Sequence, residues 1–99
     1  MTETTHDAMV PRADRGLWSE YRAPGTDLER QLAELWRDRL RVEPIGIDDD
    51  FFELGGHSLA AAELLVDIAA ATGVEVAART LFLEPTVAEL AAAIEAAGR

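Results

Sequence analysis

Apolar residues recur at helical spacing over separate stretches of this chain, divided by segments that break the period. In the first stretch Leu28, Leu32, Leu35, Trp36 and Leu40 fall on one stripe, while Asp27, Glu34 and Asp38 lie outside it. At about 100° per residue such a set occupies one face of an α-helix. Thr26 and Glu29 have capping-box spacing, so the helix is predicted to start at Thr26 and to fade near Val42, before Pro44. A second helix is predicted from Ser58 to about Thr72, with Gly73 as its stop. A third, of one or two turns around Arg79 to Leu83, ends at Pro85. A fourth starts at Thr86 with Glu89 as capping partner, and buries Val87, Leu90, Ala91 and Ile94. Val74, Glu75 and Val76 hint at a strand, but one short segment has nothing to pair with. The pattern predicts an all-α fold, a small bundle of three main helices plus one short helix.

The segment from Val42 to His57 joins the first two helices. Connections above about 12 residues without structure of their own are uncommon and often functional. Ile45, Ile47, Phe51, Phe52 and Leu54 are too apolar for a free loop, so several are expected to be pinned onto the core. Gly55 and Gly56 permit backbone angles closed to other residues. Residues 1–25 show no sustained period and carry two prolines and two glycines. They are read as a flexible N-terminal arm ahead of a domain at 26–99. Within the arm, Leu17, Trp18 and Tyr21 are candidates for docking or for a loose contact with the domain.

On the second helix Ala61, Leu64, Leu65, Ile68 and Thr72 form the core face. Leu59, Val66 and Ala70 lie nearly opposite, Ala62 falls between, and Glu63 and Asp67 flank the strip. A lone surface helix has a polar back. Either another helix covers this second apolar strip, or Leu59, Ala62 and Val66 form a docking surface for a partner.

Composition narrows the classes of function. The 99 residues carry a net charge of -10, and all nine basic residues are arginine. Such a charge argues against nucleic acid and anionic membranes as partners. With no cysteine there is no disulfide framework and no thiolate metal site. His6 and His57 alone do not build a metal centre, and Asp48, Asp49, Asp50 and Glu53 lack the alternation and glycine of a calcium loop. Those acids are read as a solvated loop that steers a basic partner. No apolar run approaches a membrane span and the first ten residues do not resemble a signal peptide, so a cytoplasmic location is expected.

Ser58 is the residue with the most chemistry to offer. It follows Leu54-Gly55-Gly56-His57 at the start of the second helix. One reading makes it an N-cap, which contributes about 1 kcal/mol and leaves the long loop and the apolar strip unexplained. A second makes it a hydrolase nucleophile. Ala60 stands where the G-x-S-x-G elbow has its last glycine, His57 adjoins the serine too closely to act as base, and no sheet carries it. No catalytic residue is therefore assigned. The third reading is a point of covalent attachment, where a phosphate would meet the first-turn N–H groups and the positive end of the helix dipole.

The run from Asp49 to Leu65, Asp-Asp-Phe-Phe-Glu-Leu-Gly-Gly-His-Ser-Leu-Ala-Ala-Ala-Glu-Leu-Leu, resembles the thiolation motif of peptidyl carrier proteins from nonribosomal peptide synthetases. Leu32-Ala33-Glu34-Leu35-Trp36, Ile45-Gly46-Ile47, Leu81-Phe82 and Pro85-Thr86-Val87-Ala88-Glu89-Leu90-Ala91 resemble further signatures of that family, in order, over residues 26 to 97. The resemblance implies an acyl-carrier-protein-like fold that is not itself an enzyme. It implies that Ser58 receives a 4'-phosphopantetheine arm from coenzyme A through a magnesium-dependent phosphopantetheinyl transferase. It implies too that the arm holds an amino acid as a thioester, loaded by an adenylation enzyme and used by condensation or tailoring enzymes. Asp50, Phe51, Phe52, Leu54, Gly55, Gly56, His57 and Leu59 make up the motif around the attachment point. His57 points to the peptidyl type, since acyl carriers usually have aspartate there. An acyl or aryl carrier is the alternative within the class, and an unmodified helical interaction module the alternative outside it. Tyr21-Arg22-Ala23-Pro24 resembles the link that follows an adenylation domain, yet the short polar start favours a free-standing carrier, expected to be a monomer.

Overall fold

The computed structural model describes residues 9–17 and 19–98. Four helices form a bundle: α1 (Asp27–Leu40), α2 (Ser58–Thr72), α3 (Ala78–Leu83) and α4 (Val87–Ala97). Two short strands, β1 (Val10–Pro11) and β2 (Val42–Glu43), pair in parallel with Val10 beside Val42. This minor pair is the only departure from an all-α fold among the described residues.

α1 begins as its sequence requires. The Thr26 hydroxyl accepts from Glu29 N at 3.0 Å, and the Glu29 carboxylate accepts from Thr26 N at 3.2 Å, closing the capping box. The helix ends at Leu40, two residues short of the expected fade. Arg41 adopts a left-handed conformation at φ 58°, and its N–H bonds back to Arg37 O. Val42 then leaves as strand, held because Val10 N–H donates to Arg41 O at 2.7 Å. α4 uses Thr86 as its cap, but the glutamate returns to the threonine hydroxyl rather than to its backbone.

The core joins Leu32, Trp36 and Leu40 of α1, Leu64 and Ile68 of α2, Leu81 of α3, and Val87, Leu90 and Ile94 of α4. The long loop contributes Val42, Ile45, Ile47, Phe51 and Leu54, all buried, with Phe52 half-buried. The loop is thus part of the core, as its apolar content requires. Leu35 and Leu65 are only half-buried, and Ala60 is buried where the expected stripe began at Ala61.

Two expectations need correction. Residues 9–17 and 19–25 do not stand away from the domain as an arm. Leu17 packs partly against the core, Arg22 O accepts from Ile47 N at 2.9 Å, and Arg12 reaches Asp49. Trp18 and residues 1–8, with His6, lie outside the described residues. Nor is the acidic loop solvated throughout. Asp49 is fully buried and accepts from Arg12 Nε and Nη2, each at 2.6 Å, from Ser19 Oγ at 2.9 Å and from Gly46 N at 2.9 Å. A carboxylate with four donors can be buried ionised, and this local charge balance was invisible from composition. Asp48 and Glu53 behave as expected of surface acids, both exposed, with Asp48 paired with Arg22 at 2.8 Å.

Thr26→Ala is expected to lower stability by about 1 kcal/mol, because it removes the hydroxyl that accepts from Glu29 N and leaves only the backbone half of the capping box. Chemical denaturation checks this, and an unshifted midpoint would show that the box contributes nothing.

Candidate functional site

The segment that leads into α2 is built around Phe51. Its ring is fully buried and meets Trp36 edge-on, with ring centres 5.2 Å apart at 80°. Its N–H donates to Pro85 O at 2.8 Å, which ties the loop to the turn between α3 and α4. Asp50 Oδ1 accepts from Phe52 N at 2.7 Å and Glu53 N at 3.2 Å, so the chain turns tightly here. Phe51 O then accepts from Gly56 N at 3.0 Å and closes the turn. Leu54, fully buried, seals it from beneath.

The two glycines serve different ends. Gly55 sits at φ 107°, a conformation that L side chains rarely adopt. Gly56 has no such angle. A Cβ on Gly56 would lie 2.3 Å from Phe51 Cε2 and 2.8 Å from Phe51 O, so the ring occupies the space a side chain would need. The expectation that both glycines serve backbone freedom holds for Gly55 alone.

His57, not Ser58, is the N-cap of α2. Its backbone is extended at φ -142° and ψ 177°, its carbonyl accepts from Ala61 N at 2.8 Å, and its Nδ1 accepts from Ala60 N at 3.4 Å. Serine outranks histidine as a cap, which misplaced the cap by one residue on sequence alone. Held by the Phe51 turn, residue 57 is the last extended one, and Ser58 falls on the first helical position. Ser58 is exposed, and its hydroxyl has no partner among the described residues. The amides of Ser58 and Leu59 likewise face no acceptor among them, as the first N–H groups of a helix do. This end of α2 carries partial positive charge and suits an anion. An exposed hydroxyl beside small glycines and unpaired amides fits a phosphodiester. Among the described residues no base and no oriented third group serve it, so it does not fit a nucleophile of the hydrolase kind.

The apolar strip on α2 is bare. Leu59 is 65% and Val66 69% exposed, and Ala62 is exposed with them. Among the described residues no helix covers the strip. A shallow groove of about 220 Å³ runs beside it between Leu65, Val66, Ala69, Glu75 and Val76. On α3, Phe82 and Leu83 are also exposed, the latter at 67%. Phe82 stacks on Phe52 with ring centres 5.2 Å apart and an angle of 6°, while Phe52 meets Phe51 edge-on. A continuous line of rings therefore runs from Trp36 in the core to Phe82 at the surface. The exposure of Phe82 and Leu83 was not anticipated from the sequence. The burial of Leu81 on so short a helix is the signal that turns its two neighbours outward. Of the acids that flank the strip, Asp67 bonds Arg39 of α1 at 2.6 Å and Glu63 lies 3.4 Å from the same guanidinium. The hydrogen bond from Arg39 holds the Asp67 carboxyl below the usual carboxylate range, against a smaller opposing effect of desolvation.

Comparison with known proteins places this geometry. Residues 30–94 match the family described as Phosphopantetheine attachment site. The chain is 48% identical over 71 residues to Tyrocidine synthase 3 of Brevibacillus parabrevis, covering 72% of this chain and 1% of that protein. A chain in the structure of the phosphopantetheine transferase Sfp in complex with coenzyme A and a peptidyl carrier protein is 38% identical, with a TM-score of 0.75. That match covers 77% of this chain and 99% of the other. The structure of the McyG A-PCP complexed with phenylalanyl-adenylate matches at 32% identity and a TM-score of 0.73, covering 76% of this chain and 12% of the other.

Gly56→Ala is expected to destabilise the protein by roughly 1–3 kcal/mol, since Phe51 or the turn must move to admit the methyl group. Thermal unfolding reads this, and a wild-type midpoint would show that the ring yields freely.

With its bundle, its glycine-led serine and these similarities, the chain belongs to the phosphopantetheine-attachment family, and within it to the peptidyl carrier (thiolation) domains of nonribosomal peptide synthesis.

Proposed function

We propose that Ser58 Oγ is the atom that carries the 4'-phosphopantetheine group of this carrier, within a functional domain spanning 26–99. The observation that supports it most directly is the placement of Ser58 outside the cap, with its hydroxyl exposed and committed to no other bond. Attachment joins Oγ to the phosphorus of coenzyme A, loses the hydroxyl proton and releases the nucleotide portion as leaving group. A separate magnesium-dependent transferase supplies the catalysis, since among the described residues no base is oriented onto the serine. The new phosphodiester is an anion at the N-terminus of α2, where the helix dipole favours it by about 0.3–1 kcal/mol. The Ser58 and Leu59 amides are the donors nearest in sequence. When bound, the group supplies a thiol on which an amino acid is held as a thioester. The chain has no cysteine to compete with that thiol.

The partners we infer are the transferase, an adenylation enzyme that loads the thiol, and condensation or tailoring enzymes that use the thioester. The carrier works as a monomer in the cytoplasm, where coenzyme A is available. Leu59, Ala62 and Val66 form the docking strip, with Phe82 and Leu83 extending the apolar surface onto α3. Their exposure supports this, since solvent gives no reason to display such residues together. The remaining motif residues Asp50, Phe51, Phe52, Leu54, Gly55, Gly56 and His57 hold the serine rather than touch the group. Among the described residues no helix is long and apolar enough to cross a membrane, and no His, Cys, Asp and Glu cluster could hold a metal ion.

Intact-mass measurement after incubation with coenzyme A, magnesium and a broad-specificity transferase tests the attachment. The wild type is expected to gain one phosphopantetheine and Ser58→Ala none. An equal gain in both, or none in either, would sink the assignment and favour an unmodified helical module. Loading screens across amino acids, aryl acids and malonyl groups are expected to select an amino acid.

Leu59→Asp and Val66→Asp test the strip. Each is expected to slow loading by an adenylation enzyme roughly tenfold, with the helical circular dichroism unchanged. Wild-type loading kinetics in both would remove the strip from the docking surface for that enzyme.

A further inference from the structure

The N-terminal segment precedes the family match, which begins at residue 30. It is nonetheless tied to the loop before Ser58 at three places. At the loop's start, Val10 N–H donates to Arg41 O at 2.7 Å, and Val10 pairs with Val42. At its middle, Arg12 sets Nε and Nη2 on the two oxygens of Asp49, and Arg22 O accepts from Ile47 N at 2.9 Å. At its end, the Arg15 guanidinium lies over Gly55, with Cζ 3.4 Å from the point where a Cβ would stand. We propose that residues 10–17 and 19–22 form a strap that positions the attachment loop, with Arg12 and Asp49 as positioning residues for the modification of Ser58. The proposal rests on the reading of Ser58 as the attachment point.

The charge balance makes the strap more than a surface contact. Asp49 is fully buried, and a buried carboxylate is tolerated only when paired and hydrogen-bonded. Its cation comes from the strap, as does the Ser19 hydroxyl that also donates to it. The same carboxylate accepts from Gly46 N inside the loop, so one group bonds strap and loop at once. Arg12 is itself braced, with Nη2 on Ser19 O at 2.7 Å and its guanidinium 5.5 Å from the centre of the Tyr21 ring. Releasing the strap would strand a buried charge and loosen Gly46 together with Ile47. Further along, that loop turns through Phe51 and Gly56 to deliver Ser58. The strap leaves Leu59 and Val66 exposed, so it holds the loop without covering the docking strip.

The test uses the full chain carrying Arg12→Gln together with Asp49→Asn. This pair removes both charges, so no unpaired carboxylate is buried; Asn keeps the shape of Asp, while Gln is shorter than Arg and gives up its reach to residue 49. Amide hydrogen exchange is expected to quicken roughly tenfold at Gly46, Ile47 and Gly56, with Leu90 of α4 unchanged. In steady-state modification by a phosphopantetheinyl transferase, KM for the apo chain is expected to rise roughly fivefold, with kcat within about twofold of wild type. Unchanged exchange at Ile47 and Gly56 would overturn the strap. An unchanged KM would overturn its positioning role, and a lowered KM would show that the segment obstructs the transferase. Arg15→Gln, which alters only the contact over Gly55, provides a second variant that does not touch the buried pair. It is expected to quicken exchange at Gly56 and raise KM about twofold, and wild-type values for both would count against the strap. A wild-type chain that takes up no phosphopantetheine would refute the Ser58 assignment, while the exchange experiment would still report on the strap.

Discussion

The arrangement of this protein depends on one steric fact: the ring of Phe51 occupies the space that a side chain on residue 56 would fill. Because residue 56 is glycine, the chain passes directly over the ring, and Phe51 O bonds Gly56 N. Phe51 is itself fixed from below by Trp36 and from the side by Pro85 O. The start of α2 is thereby registered against α1 and against the turn before α4. A loop of this length would ordinarily wander, and loops with few buried contacts open at little cost in free energy. Here the loop's aromatic residues join the core, so a surface serine inherits the rigidity of the bundle. The same packing carries outward through Phe52 to Phe82, and it sets one exposed ring on α3 in register with the attachment loop.

Much of this was legible in the residue pattern. Helix starts were found to within a residue because threonine and glutamate at capping distance satisfy specific N–H groups, a local requirement that sequence displays directly. The anchored loop was legible because five large apolar residues in a connection have no physical alternative to burial. The serine proposed for attachment was singled out through the same glycines, although their separate roles were not legible. What stayed hidden depends on residues far apart in the chain. Nothing near Asp49 distinguishes it from Asp48 or Asp50, and its partner Arg12 lies 37 positions away. The β1–β2 pair is two residues long and shows no alternation to detect. The shift of the cap from Ser58 to His57 follows from the Phe51 turn, which cap preferences do not encode.

Charge and apolar exposure divide the surface between them. Arg12, Arg22, Arg30, Arg37 and Arg39 are each engaged with a carboxylate, and the acids outnumber the arginines to leave a net charge of -10. A surface of this charge repels others of like charge and attracts basic faces at long range. Within it, Leu59 and Val66 supply apolar area beside the serine. This combination suits brief encounters: long-range attraction sets the rate of approach, while a small apolar patch limits how long a partner stays. A carrier that must pass one thioester among several enzymes needs release as much as capture.

The position of the cap bears on what modification does to the fold. A serine at the N-cap uses its oxygen to accept an N–H from the first turn, and esterifying that oxygen to phosphorus would weaken it as an acceptor. The helix would then lose part of the roughly 1 kcal/mol a good cap contributes. In this chain His57 takes that task, weakly, through Nδ1, and leaves Ser58 on the first helical position with its hydroxyl uncommitted. A phosphate placed there would add charge at the favourable end of the dipole without withdrawing an existing hydrogen bond. The weaker histidine cap is thus consistent with a helix whose first turn is stabilised by its modification rather than strained by it.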